Sequence, residues 1–228
     1  MNRTRATRTF AAAAALSAAI GLSACSSTDG DTANAAENTG SSSFGRPDAE
    51  ATVPAIPGGS TEVALDAGFV EALGTLGLTP GTVGSGTLTD GTLAFPISGG
   101  TVTLYDRETG YRPWVQGVLL HDGSGLSLTA GDTVVELTDF TITPGKPARL
   151  FGNVSVNGEL AAASAPLFDL NGSTLEPPTT DADGSAVLDG TTVELSPEAA
   201  ELLNTTFGTD ALAGGFVVGS STITVETS

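Results

Sequence analysis

From Thr61 onward the chain is interrupted every eight to twelve residues by Gly, Asp or Pro, and short β-branched and apolar runs lie between the interruptions. Such runs are too short for helices that bury a stripe, but they suit strands joined by tight turns, so the expected fold is mainly β, a sandwich- or barrel-like domain. Candidate strands are residues 93–97, 101–105, 114–120, 125–129, 133–138, 140–143, 150–156, 191–195 and 222–225. Alternation places Val134, Glu136 and Thr138 on one face and Val135, Leu137 and Asp139 on the other, which puts the Asp139 carboxylate at a strand end rather than in a core. Asp122-Gly123 reads as a hairpin turn between two of these strands.

Two segments change to a helical period. Asp66 can cap a helix over residues 67–76 whose Phe69, Val70, Leu73 and Leu76 share a face, with Gly77 at its stop. Ser196-Pro197-Glu198 opens a second, with Ala199, Leu202, Leu203 and Phe207 inward and Gly208 closing it. Each helix follows a similar strand, Val63-Ala64-Leu65-Asp66 and Val193-Glu194-Leu195-Ser196. Either the domain contains an internal duplication or one strand-to-helix junction arose twice.

Composition narrows the function. Among 228 residues there are 8 Lys+Arg against 26 Asp+Glu, a net charge of −18, and Lys146 is the only lysine. A nucleic-acid binder needs a basic face to displace counterions, so nucleic acid is excluded as a partner. One Cys and one His exclude disulfide frameworks and metal sites built from several such ligands, and no metal is expected.

The N-terminus has an Arg-bearing head (Arg3, Arg5, Arg8) and an apolar stretch from Phe10 to Leu22, the layout of a secretory signal. Thirteen helical residues cover about 20 Å, short of a hydrocarbon core of about 30 Å, so the stretch is not read as a permanent span. It ends in Leu22-Ser23-Ala24-Cys25, which resembles the lipobox of bacterial lipoproteins: a branched residue, two small ones and a cysteine. The resemblance implies acylation of the Cys25 thiol and cleavage between Ala24 and Cys25, leaving residues 1–24 as a signal peptide. Two or more acyl chains form a stable anchor, and the mature charge, with five basic residues against 26 acidic, is −21, which anionic headgroups repel. The expected location is therefore the extracytoplasmic face of the cell membrane, held by lipid alone. Residues 25–60, rich in Ser, Thr, Ala, Gly and Asp, read as the lipidated Cys and a flexible tether with a reach of roughly 30 Å, and residues 61–228 as the β domain.

Catalytic signatures are sparse. His121 is the only imidazole, and in Leu120-His121-Asp122-Gly123-Ser124-Gly125 the three triad residue types are adjacent, whereas triad members converge from distant parts of a chain. No G-x-S-x-G elbow occurs, and the acids give no privileged pair for a glycosidase. Thr179-Thr180-Asp181-Ala182-Asp183-Gly184 has alternate oxygens before a glycine but lacks the first Asp and closing Glu of a calcium loop, and reads as an acidic surface loop. The most concentrated segment is residues 105–114, which holds both tyrosines, the only tryptophan and two of the domain's four basic residues. One reading stacks Tyr111 or Trp114 on a flat ligand while Arg107 and Arg112 hold its anionic groups, with Tyr105 and His121 as further candidate ligand-binding residues. The other makes the segment a structural cap on a β-sheet end.

Gly117 to Gly123, Leu126-Ser127-Leu128 and Leu137 to Ile142 together resemble the β-rich centre of secreted actinobacterial proteins, including haem-transport-associated domains. That resemblance implies haem as a ligand and a tyrosine as its partner. Three functions follow in order: a non-enzymatic, membrane-anchored envelope lipoprotein with no cofactor, binding a wall polymer, small ligand or envelope protein; a haem or tetrapyrrole binder; and a carbohydrate-active envelope hydrolase.

Overall fold

The computed structural model describes residues 45–227, so Ala24, Cys25 and the signal and lipobox readings lie outside the described residues. The strands are β1 (Ala51–Val53), β2 (Gly59–Leu65), β3 (Thr79–Gly84), β4 (Thr87–Thr89), β5 (Thr92–Pro96), β6 (Gly99–Leu104), β7 (Val115–Ala130), β8 (Thr133–Thr143), β9 (Arg149–Val156), β10 (Glu159–Asn171), β11 (Thr179–Thr180), β12 (Ala186–Leu195) and β13 (Val217–Val225). All pair antiparallel in one sheet of order β1-β6-β7-β8-β9-β10-β12-β13-β2-β5-β4, with β3 added to β7 and β11 to β12. The sheet curls until its halves face each other as a half-barrel. Phe95 on β5 meets Phe140 on β8 edge-on at 5.1 Å, and Thr61 on β2 hydrogen-bonds His121 on β7.

The helices are α1 (Ala67–Thr75) and α2 (Pro197–Phe207). Asp66 accepts from the Gly68 and Phe69 amides, and α2 has Ser196 before it and left-handed Gly208 after it. Ser196 is fully buried; its hydroxyl accepts from the Ala199 amide at 2.9 Å and donates to the Pro166 carbonyl at 2.7 Å, so it caps the helix and ties it to β10. β2 and β12 flank β13 and run parallel to each other, which starts both helices from the same end of the sheet. α1 buries a narrower face than its period suggests: Phe69 and Leu73 are buried, while Val70 is 46% exposed. Of the phenylalanines, Phe69, Phe95, Phe140 and Phe168 are buried, whereas Phe151, Phe207 and Phe216 are half-buried.

Three sequence expectations need correction. Asp122-Gly123 is not a hairpin turn, because β7 runs through it. Three residues, Asp122 to Ser124, stand opposite Asp139 alone, as the partners His121↔Phe140 and Gly125↔Thr138 show. Gly123 has φ +74°, the conformation that both a tight turn and a bulge require, which is why the dipeptide reads alike for either. Asp139 is likewise not at a strand end. It lies inside β8 with φ +53° and accepts from the Gly123 amide (3.0 Å), the Asn153 side-chain amide (3.2 Å) and the Thr138 hydroxyl (3.2 Å). Finally, β1 pairs with β6 and Ile56 is buried, so residues assigned to the tether belong to the folded body.

The bulge is part of a row. Asn153 on β9 accepts from the amide of Ser164 on β10, which has φ +49°, and the register shifts at the same level between β8 and β9 and between β9 and β10. Bulges add local twist and bend, and a row of them across four neighbouring strands accounts for the curl.

Candidate functional site

The two halves of the curled sheet enclose an apolar chamber of about 280 Å³. Its wall comes from strand positions of one parity, including Thr61 and Val63 on β2, Leu93 and Phe95 on β5, Thr191 and Val193 on β12, and Ser221 and Ile223 on β13. Phe140 and Phe168 add aromatic faces, and the residue 144–148 connection contributes Lys146. Among the described residues no carboxylate lies in this wall, and His121 and Lys146 are its only titratable groups. The chamber thus matches the general character of small-molecule sites, apolar with a few placed polar groups, at the lower end of their usual size.

β7 brings two of the expected site residues to this chamber. Trp114, just before the strand, and His121, just before the bulge, both line it. His121 is 1% exposed. Its Nδ1 lies 3.3 Å from the Phe140 carbonyl, which can only accept, so Nδ1 carries the proton. Nε2 then holds the lone pair and accepts from the Thr61 hydroxyl at 2.8 Å. Burial pushes the imidazole pKa below its ordinary value, opposed by the Phe140 hydrogen bond and the charge of Asp122, so the ring is neutral at neutral pH. Ser124 completes the support by donating to the His121 carbonyl at 3.0 Å.

The other four candidates stand outside the chamber wall. Tyr105 is 1% exposed, with its amide bonded to the Trp114 carbonyl and its ring edge-on to Tyr111 at 4.8 Å. The Arg46 guanidinium carbon lies 5.0 Å from the Tyr105 ring centre and that of Arg107 lies 3.9 Å from the Trp114 ring centre. Arg112 donates to the Arg107 and Tyr111 carbonyls. Asp106 caps the single 3-10 turn Arg107–Thr109. The segment is thus a self-braced hairpin that holds Trp114 at the chamber while its tyrosines and arginines bond chiefly to each other. The Tyr105 hydroxyl and Arg107 Nε are buried with no hydrogen-bond partner among the described residues.

Sequence reasoning missed most of the wall. Thr61, Thr191 and Ser221 are buried polar residues on inward strand positions, each two residues before a Val or Ile on the same face. That recurring hydroxyl followed by an aliphatic at period two was the signal available. Of residues 179–184, Thr179 and Thr180 form β11, and Asp181 to Gly184 make an exposed turn in which Asp183 accepts from the Ser185 amide.

No known family profile matches the sequence, and no curated protein matches it. Solved structures do. The C-terminal domain of HtaA from Corynebacterium glutamicum is similar at 15% identity and a TM-score of 0.51, covering 75% of this chain and 99% of that one. The heme binding protein HtaB of the same organism is similar at 9% identity, a TM-score of 0.47 and coverage of 77% and 95%. The N-terminal domain of HtaA follows at 14%, 0.44, and 76% and 98%. At these identities the likeness is one of fold, and this chain shares the curled β-sheet architecture of the C-terminal domain of HtaA.

Proposed function

We propose that this protein is a non-enzymatic bacterial envelope protein that binds a flat, largely apolar ligand of the haem or tetrapyrrole type in the half-barrel chamber. The observation that carries the reading is His121, the one side chain in an apolar wall able to ligate a metal, held in a single tautomer. A histidine that ligates a metal usually donates its other ring N–H to a carbonyl or carboxylate, and the Phe140 carbonyl already serves that role. The donor set therefore suits a haem, which His121 Nε2 would hold in place of its Thr61 partner, with Phe95, Phe140, Phe168 and Trp114 as apolar and aromatic surface and Lys146 to meet a carboxylate. Bound iron would supply only a coordination bond. The absence of carboxylates from the wall favours binding over the paired-acid hydrolase.

Titrating the purified full chain with haemin is expected to shift the Soret band. His121→Ala should weaken binding at least tenfold, and Thr61→Val, which frees Nε2, should retain or tighten it. A wild-type protein that leaves the Soret band unmoved, or a His121→Ala variant that binds equally well, refutes the assignment.

The same proposal includes anchoring through acylated Cys25 on the outer face of the cell membrane, supported by the lipobox Leu22-Ser23-Ala24-Cys25. Cells fed labelled palmitate should incorporate it into the wild type and not into Cys25→Ser, with the latter leaving the membrane fraction. An unlabelled wild type excludes the anchor without touching the ligand assignment.

A further inference from the structure

A second chamber of about 370 Å³ adjoins the first, the two sharing Val115, Ile142, Pro144, Leu188 and Ile223 as common wall. Their chemistry differs. The first presents phenylalanine and tryptophan faces, His121 and Lys146. The second, enclosed where β1 and β6 face β11, β12 and β13, contains no aromatic and no cationic residue; its interior is valine, leucine, isoleucine and alanine. Polar groups there are Thr179, Thr180 and Thr227 together with one carboxylate, Glu50. These threonines and Glu50 are exposed, in contrast to the half-buried Val102, Leu104, Val187 and Leu188.

From this contrast we infer that the second chamber is a separate binding site for a single aliphatic chain, such as a saturated acyl or isoprenoid tail, whose head group is uncharged or cationic. Branched aliphatic walls conform to a flexible hydrocarbon and are stabilised by each methylene buried, whereas they offer a flat ring neither stacking partners nor a metal donor. Threonine hydroxyls at the rim can hydrogen-bond a glycerol or amide head. Glu50, together with Asp181 and Asp183 in the adjoining turn and a chain of net charge −18, repels a carboxylate or phosphate. The site goes beyond the proposed haem chamber and does not depend on it.

The test uses the full chain and a fluorescently labelled monoacylglycerol, with labelled palmitate as the anionic counterpart. The neutral probe is expected to bind saturably and palmitate at least tenfold more weakly at neutral pH. Ala186→Trp and, independently, Val102→Phe enlarge side chains that line the second chamber and not the first, and should each weaken the neutral probe at least tenfold. Circular dichroism confirms that each variant is folded, and either folded variant suffices for the comparison. Haemin, added at saturation, should not displace the probe. Unchanged probe binding in a folded variant, displacement of the probe by haemin, or equal binding of palmitate overturns the inference. A protein that binds the probe but no haemin supports this site while removing the tetrapyrrole assignment.

Discussion

Gly117→Val is expected to abolish cooperative folding, and Gly117→Ala to cost on the order of 4 kcal/mol of stability, read as a much lower urea midpoint. Gly117 lies in β7 with φ +129°, a region open essentially to glycine alone and costing other residues about 1–3 kcal/mol. A Cβ there would also meet the Thr101 carbonyl and the Val102 Cα, both backbone atoms that no side-chain rotation can clear. Across the strand pair the crowding is reciprocal, since Gly100 has φ +136° and a Cβ on it would strike the Val118 carbonyl. With total stabilities of about 5–15 kcal/mol, a loss of this size removes much of the folded population. The position also matters for the site, because Gly117 lies between Trp114 and His121 on the segment that carries both to the chamber. A Gly117→Ala protein with wild-type urea midpoint and haemin affinity contradicts the argument.

Asp139→Ala should be the next most damaging change, at about 2–3 kcal/mol. The substitution removes an acceptor for three hydrogen bonds and puts alanine at φ +53°, where Asp and Asn are better tolerated. Asp139→Asn keeps the backbone preference and the bond from Gly123 and should lose less than half as much. The pH dependence has a definite sign. Chiefly the hydrogen bond from the Gly123 amide, with those from Asn153 and Thr138, holds the carboxyl below its ordinary pKa against a smaller desolvation effect. The folded state therefore favours the carboxylate, and its contribution is complete above the unfolded pKa of about 3.9 and is lost as pH falls through the lower folded value. Thermal melts at pH 7 and across the acid range should show the gap between wild type and Asp139→Asn closing on acidification. A gap that stays constant with pH would mean that charge at Asp139 contributes nothing.

How legible all this was in the sequence depended on the range of the determining contacts. Helix caps are local, so Asp66, Ser196 and Gly208 could be placed from their immediate neighbours. The β class followed from spacing and alternation, which are likewise local. Strand continuity was not legible: β7 and β8 each looked like two strands because Gly123 and Asp139 adopt turn-like backbone conformations within them, and only the side chains of neighbouring strands keep the ladder going across the break. β10 was missed because much of it is exposed alanine, with no apolar alternation to reveal it. For the site, unusual residues drew attention to 105–114 and His121, and two of the six named side chains, Trp114 and His121, line the chamber. Much of the remaining wall comes from β2, β5, β12 and β13, whose convergence on His121 is a property of the curl and of pairings far apart in the chain.

The row of bends through Asp139, Asn153 and Ser164 also has a mechanical consequence. Along that line the backbone ladder is interrupted, and the Asp139 carboxylate and the Asn153 carboxamide bridge the break by accepting from the Gly123 and Ser164 amides and bonding to each other. The bend between these strands is therefore fixed by two side chains rather than by ladder bonds, so exchanging either one acts on the spacing of the sheet's facing halves and not only on local stability.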